Sequence, residues 1–343
     1  MATSTELPLD AWFAEADVTV AALGDGHINR TFLIQAQQAE YVLQGISASV
    51  FADPEAVLTN QQVVLEVASG SSWFGYELPC LLPTLTGRPW EQRGPNYWRL
   101  CQRIGQSGGL DRISLVHQAR AAGRAFADYQ RLLAETGSAQ INQRIQPVIP
   151  GFHQLAGYLE AFDAVRARAR SADEQDLVNA LDRRATVFNK VSRAPDSLIH
   201  GDCKISNLLF DAHGSRVIGV VDLDTTMVGQ WWWDFGDLVR SVTQSPTGGV
   251  DLALYDGVAS GFFGDQGELD EQTHRLAQLA PSYMTYMLCL RFVTDHLAGD
   301  QYFLVHKRGD NLVRAQAQLR LLRSFEEPTV RAAMAASLER LAL

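Results

Sequence analysis

In the first hundred residues, apolar positions come in short runs separated by turn residues. Val18-Thr-Val-Ala-Ala-Leu23, Thr31-Phe-Leu-Ile34 and Glu40-Tyr-Val-Leu-Gln-Gly45 have the length and side-chain content of strands, and Gly24-Asp-Gly26-His-Ile-Asn-Arg30 joins the first two. Leu9, Trp12 and Phe13 predict a short amphipathic helix over 6–16. Pro54 at a helix start with Asp53 as its cap predicts a helix running to about Ser69. Two more strands are expected, Glu77–Leu82 and Tyr97–Ile104, and then a hinge-like Gly105-Gln-Ser-Gly-Gly109. Beyond it the period changes. Val116, Ala119, Ala122, Phe126, Tyr129 and Leu133 recur at helical spacing and predict a helix over 117–135. Further helices are expected from Ile149 towards Arg170, over 173–193, from Asp234 to Val242, and through the C-terminal part. Strands first and helices afterwards read as an α+β chain with a small β-rich N-terminal lobe, 1–104, and a larger mainly helical C-terminal lobe, 105–343.

One stretch within the helical part breaks the pattern. Ser197-Leu-Ile-His-Gly-Asp-Cys-Lys-Ile-Ser-Asn-Leu-Leu-Phe210 reads as strand, polar turn, strand, and Val217-Ile-Gly-Val-Val-Asp-Leu-Asp-Thr225 as a buried strand ending in acids. Asp211-Ala-His-Gly214 has turn chemistry, so the strands on either side of it can pair as a hairpin. Asp202, Asn207 and Asp222 then meet at one edge. Such a trio suits phosphoryl transfer to a hydroxyl. The reaction needs a carboxylate to take the hydroxyl proton and oxygen ligands for Mg²⁺ on the phosphates. Asp202 precedes Asn207 by five residues, the spacing of the kinase catalytic loop. Lys204 can meet a transferring phosphoryl oxygen as a point charge. Asp234-Phe-Gly236 imitates a metal-binding signature but lies 32 residues after Asp202, so the metal is placed on Asp222. Asp224 is read as a supporting acid, with a second metal ligand and a solvated acid as the alternatives.

A chain of 343 residues suffices for two lobes with cores of their own. Its net charge of −10 excludes the basic footprint of a nucleic-acid binder but not phosphate chemistry, because a metal supplies positive charge locally. Cys80, Cys101, Cys203 and Cys289 are scattered without a CxxC pair, which suits a reducing compartment. The N-terminus has no signal-peptide composition, and the apolar run near Tyr283–Leu290 is too short to span a bilayer. A cytoplasmic monomer with no membrane partner is expected.

His200-Gly-Asp-x-Lys-x-x-Asn207 with Val-Val-Asp222-Leu-Asp-Thr resembles the aminoglycoside phosphotransferase-like kinases, a family of antibiotic, choline and sugar kinases with a bilobal protein-kinase-like fold. Gly26-His-Ile-Asn-Arg-Thr-Phe32, Tyr41-Val-Leu-Gln44, Val50-Phe-x-Asp-Pro-Glu55 and the segment Arg291–Phe303 are similar to its N-acetylhexosamine 1-kinase branch. The resemblance implies ATP and Mg²⁺ as cofactors and a sugar acceptor phosphorylated on its anomeric hydroxyl. Residue by residue, it implies that Asp202 orients the hydroxyl with Lys204 beside it. Asn207 and Asp222 hold the metal, and Arg291 and Tyr302 contact the sugar. The loop carrying Gly24, Asp25, Gly26, His27 and Asn29 covers the nucleotide, with His27 and Asn29 directed to phosphates or to sugar. Asp234 braces the catalytic loop.

Kinases carry a phosphate-holding lysine on the third strand. Here that position is Gln44, as in the branch, and the only lysines are Lys190, Lys204 and Lys307. Either an arginine such as Arg30 substitutes, or metal and backbone amides carry the phosphates, or activity is lost. Two rival readings follow. One changes the acceptor to an aminoglycoside, amino-alcohol or plain hexose. The other is a nucleotide-binding pseudokinase. Three features have plainer readings: His153 as a capping or satisfied histidine, Gly299 as a helix cap, and Trp231-Trp-Trp233 as core packing rather than a sugar-stacking platform.

Overall fold

The computed structural model describes residues 7–14, 17–23, 29–48, 50–105, 108–135, 143–191, 193–245 and 248–341. The chain begins with an antiparallel meander of β1 (Thr19–Ala22), β2 (Arg30–Ala36) and β3 (Ala39–Ile46). Gln37 and Gln38 both take positive φ, 52° and 64°, the backbone of a tight two-residue hairpin turn. β5 (Asn96–Gln102) pairs with β3, and β4 (Glu91–Arg93) closes the far edge, so the sheet order is β1-β2-β3-β5-β4. Ile34, Leu43, Trp98 and Leu100 form a small core on this sheet with Leu7 and Trp12.

α1 (Pro54–Gly70) starts as its sequence predicts. The Asp53 carboxylate accepts from the Glu55 and Ala56 amides, each at 3.1 Å. Its buried residues Val57, Leu58, Val63 and Val64 belong to the large core, not to the sheet's own. Asn60 fixes the helix there, donating to the carbonyls of Gln146 at 2.8 Å and Thr226 at 3.1 Å.

The large lobe holds α2 (Val116–Glu135), α3 (Leu155–Val165), α4 (Ala172–Phe188), α5 (Trp231–Thr243), α6 (Leu252–Phe263), α7 (Glu271–Ala298), α8 (Asp310–Glu326) and α9 (Pro328–Arg340). α2 and α6 lie almost backbone to backbone. A Cβ on Gly123 would come within 2.3 Å of the Val258 carbonyl oxygen. Among the helices run short strands: β6 (Gly108–Gly109), β7 (Ser197–Ile199), β8 (Leu208–Phe210), β9 (Val217–Val220) and β10 (Met227–Gly229). They form a three-stranded sheet, β6-β8-β9, and a two-stranded one, β10-β7. No helix among the described residues is long and apolar enough to cross a membrane.

Four sequence expectations change, the first being the helix expected from Ile149 towards Arg170, which runs only over Leu155–Val165. Of the helix expected over 6–16, the described residues 7–14 show only a single 3₁₀ turn, Leu9–Ala11. Tertiary bonds hold the segment down instead: Trp12 Nε1 donates to the Leu82 carbonyl, and the Ala11 carbonyl accepts from Leu85. Residues 77–82 form no strand. Pro79 has no N–H for a ladder, and the run makes only isolated bridges, Glu77 to Gly219 and Leu81 to Cys101. The charged helix expected to reach 193 ends at Phe188.

Candidate active site

The β8–β9 hairpin forms as predicted, with Leu208 opposite Val220. It turns two polar loops towards one cavity of about 600 Å³ that lies between the sheet and the helices. The first loop, His200 to Asn207, is built on buried donors and acceptors. Asp234, at the start of α5, accepts from the His200 and Gly201 amides, both at 2.9 Å. This is the brace expected of it. Gly201 has φ +83°, and a Cβ there would fall 2.6 Å from the Thr225 carbonyl oxygen, so the loop needs glycine at that point. His153 Nε2 meets the Gly201 carbonyl at 2.6 Å, and His200 Nε2 meets that of Val221 at 3.0 Å. His153 is therefore a buried histidine bonded through Nε2, while its Nδ1 has no hydrogen-bond partner among the described residues. Burial outweighs the nearby Asp237 carboxylate and lowers its pKa to about 4.

This scaffold presents Asp202. Lys204 Nζ lies 2.6 Å from Asp202 Oδ2, and Asn207 Nδ2 donates to the Asp202 carbonyl at 2.8 Å and its carboxylate at 3.2 Å. Burial opposes ionisation of Asp202, but Lys204 and the Asn207 amide outweigh it and hold the carboxyl at about 2. The same pairing, with Asp222 adding to it, raises Lys204 despite its burial.

Asp222 ends β9 in a left-handed conformation, φ 63° and ψ 56°. Among the described residues four carboxylates line the cavity: Asp202, Asp222, Asp224 and Asp237. Three have a cation within 3 Å: Lys204 on Asp202 at 2.6 Å, Arg99 on Asp224 at 2.6 Å and Arg240 on Asp237 at 2.8 Å. Among the described residues Asp222 has only Lys204, at 4.0 Å. Burial, and then the Asp224 charge, push its carboxyl up to about 6 against the pull of Lys204. An acid so placed is improved by an added cation. Asn207 commits its nitrogen to Asp202, which leaves its carbonyl oxygen for a cation too. One carboxylate, one amide oxygen and substrate phosphates are the donor set that suits Mg²⁺.

The other end of the cavity is aromatic. The Arg291 guanidinium carbon sits 5.6 Å from the ring centre of Phe152, 5.2 Å from Tyr158, 5.3 Å from Tyr302 and 5.3 Å from Phe303. Arg291 Nη2 donates to the Tyr302 hydroxyl at 3.2 Å. Tyr302 and Phe303 follow α7, which Gly299 does cap, at φ 103°. Asp295 holds them, its carboxylate accepting from the amides of Gln301, Tyr302 and Phe303 at 2.8, 2.8 and 2.9 Å and from Asn311 Nδ2 at 2.9 Å.

Asn29 lies at the cavity wall with its amide engaged by Asp224 Oδ2 at 2.5 Å and Ser47 N at 3.0 Å. Gly24, Asp25, Gly26 and His27 lie outside the described residues. Arg30 is exposed, stacks over Trp98 at 4.7 Å and is not among the residues lining the cavity. The tryptophans are not a platform. Trp232 and Trp233 are buried, Trp231 packs on Phe262 and Phe263, and none lines the cavity. Sequence reasoning missed Arg99, Phe152, Tyr158, Phe303 and Asp295. The one available signal was Arg99, a lone charge inside the apolar run Tyr97–Cys101.

A β-sheet lobe and a helical lobe enclosing a carboxylate loop and a second acid define a kinase-like phosphotransferase fold. The model of the APH family, described as the phosphotransferase enzyme family, matches residues 19–283, and the chain belongs to that family. Solved structures agree in fold. An aminoglycoside phosphotransferase from Alicyclobacillus acidocaldarius superposes with a TM-score of 0.66 at 13% identity, covering 97% of this chain and 95% of its own. A microcompartment-associated aminopropanol kinase gives 0.60 at 16% identity, covering 97% and 94%. The GDP complex of aminoglycoside 2'-phosphotransferase-IIIa gives 0.62 at 15% identity, covering 94% and 95%.

Proposed function

We propose that the protein is an ATP- and Mg²⁺-dependent sugar kinase that phosphorylates the anomeric hydroxyl of a hexosamine, an N-acetylhexosamine in particular, to the sugar 1-phosphate. The observation that carries this reading is one cavity with Asp202, Asn207 and Asp222 at one end and Arg291 in its box of rings at the other. Asp202 is ionised at any working pH and would receive the proton of the attacking hydroxyl. Lys204, 2.6 Å away, is charged and would face the transferring phosphoryl group. Asn207 and Asp222 would hold Mg²⁺, which when bound offsets charge on the β- and γ-phosphates. Gly24, Asp25, Gly26 and His27 would cover the nucleotide. Asn29 stands at the cavity wall. The hinge between lobes is placed at about 105–109.

The acceptor end favours a sugar. Flat ring faces suit the C–H face of a pyranose. Arg291 has donors left over for hydroxyl or acetamido oxygens, since its one hydrogen bond among the described residues goes to Tyr302. Arg314 joins it in the cavity lining. Two guanidinium groups disfavour polycationic acceptors such as aminoglycosides.

The test is ADP release with Mg-ATP against GlcNAc, GalNAc, glucosamine, glucose, galactose, kanamycin and choline, followed by phosphorus NMR of the product. A 1-phosphate of an N-acetylhexosamine, lost in Asp202→Asn, supports the reading. Turnover only with another acceptor replaces the substrate and keeps the chemistry. ATP binding with no turnover makes the pseudokinase the better account.

A further inference from the structure

The third-strand lysine of kinases is absent here, yet a buried cation stands beside its position. The β3–β5 register places Arg99 directly opposite Gln44. Arg99 is 1% exposed and does not line the cavity. Its Nε and Nη2 both donate to Gln44 Oε1, at 3.0 and 2.7 Å, and Nη1 donates to Gln61 Oε1 on α1 at 2.6 Å. The same Nη1 pairs with Asp224 Oδ1 at 2.6 Å. Asn29 takes the other oxygen of Asp224, and the Ser47 amide donates to Asn29.

Asp224 is the only member of this cluster that comes from beyond the N-terminal lobe, and it sits two residues after Asp222. Gln44, Asn29 and Asp224 face the cavity, and Arg99 stands behind them. A guanidinium in that position cannot touch a phosphate. What it can do is fix the turn that presents Asp222, whose backbone is held left-handed at φ 63°. An ion pair buried this deeply costs desolvation and adds little stability of its own, but it specifies registry strongly, because either charge left alone is intolerable. The planar fork matters as well. Arg99 meets three oxygens on three segments at once, which an ammonium on a flexible stem does not reproduce.

We propose that Arg99 is a positioning residue for metal-nucleotide binding, acting through Asp224 on the Asp222 turn. The kinase lysine that grips phosphate is thereby replaced by an arginine that grips the metal loop. Gln44 and Gln61 are its anchors on the third strand and on α1. This rests on the kinase reading above but not on the identity of the acceptor.

The test is calorimetric titration of the full chain with ADP, with and without Mg²⁺. For the wild type, Mg²⁺ tightens ADP binding. Arg99→Met is expected to lose that gain, weakening Mg-ADP about 10- to 100-fold, as when the outer partner of a metal ligand is removed. Its metal-free ADP affinity is unchanged. Arg99→Lys recovers only part of the gain. Asp224→Asn keeps the shape and weakens the charge. It is expected to show the same metal-specific loss, and it decides the matter if Arg99→Met does not fold. Equal losses with and without Mg²⁺, or a wild-type Mg²⁺ response in Asp224→Asn, overturn the inference. So does a wild-type protein that Mg²⁺ does not help. No acceptor enters the experiment, so a negative sugar panel sinks the proposed substrate and leaves this result standing.

Discussion

The two ends of the cavity are built on different principles. At the end proposed to take the phosphates, the groups assigned to chemistry and metal are Asp202, Lys204, Asn207 and Asp222, three of them charges, within one short stretch of sequence. Their ionisation is pushed apart by neighbours a few ångströms away: Asp202 is held down by Lys204, and Asp222 is pushed up by burial and Asp224. At the acceptor end the working groups are rings around one guanidinium, drawn from residues 152 to 303. The first end lies on the loops that flank one hairpin, braced by Asp234 and His153. The second exists only when α3, α7 and the loop after α7 are packed together. A short polar loop fixes what reaction is possible, and the helical frame fixes what molecule may enter.

The largest expected effect is at the charged end. Asp202→Asn removes the proton acceptor while keeping the size and the bond from Asn207. Turnover should fall about 10²- to 10⁴-fold, the usual worth of a general base. The KM for the acceptor should change little. Loss confined to KM would break the comparison, because Asp202 would then be a binding group.

Arg291→Met keeps the chain filling its ring box and deletes the donors. Hydrogen bonds to a charged group are worth about 1.5–3 kcal/mol, so acceptor kcat/KM should fall about 10- to 100-fold. The KM for Mg-ATP should stay as it was. An equal rise in both KM values would mean that the two ends do not work separately. Asp295→Asn is gentler on chemistry. It swaps a carboxylate that accepts from four donors for an amide that cannot take them all. About 1–3 kcal/mol of stability should go with the unsatisfied donors, as read from urea midpoints. Acceptor KM should rise as Tyr302 and Phe303 loosen, by less than in Arg291→Met.

The same contrast governs what the sequence reveals. The catalytic loop was legible because its chemistry is local. Asp202, Asn207 and Asp222 lie on the loops flanking one hairpin, so their spacing brings them to one edge, with Asp234 and His153 fixing the first loop. Arg291 and Tyr302 were reached through resemblance, but Phe152, Tyr158 and Asp295 were not, since no periodicity tells a ring that faces a cavity from one that faces a core. Arg99 shows a third case. It lies in a plain strand, and only the register of β5 on β3 gives it a partner at Gln44. The strands and long helices were readable from period and capping. The failures came where tertiary bonds replaced regular structure, at the Leu9–Ala11 turn pinned by Trp12 and around Pro79.

The smallest effect concerns the hinge between the two ends, His153. Its ring stacks on Phe152 at 3.8 Å on the acceptor side, and its Nε2 meets Gly201 on the catalytic side. Burial lowers its pKa from 6.5 to about 4. The sign follows. Between pH 6.5 and 4 the unfolded chain binds a proton here and the folded one does not, so His153 costs stability as pH falls through that window, at most about 1.4 kcal/mol per pH unit. Its effect is absent above 6.5. His153→Gln retains a donor for Gly201 without titrating. Any strain it suffers at φ 58° is independent of pH and cancels from the slope. Urea midpoints at pH 7, 6 and 5 should therefore fall more steeply for wild type than for the variant. Parallel curves would mean that His153 is protonated in the folded protein, and the ring would then carry charge directly behind the Asp202 loop.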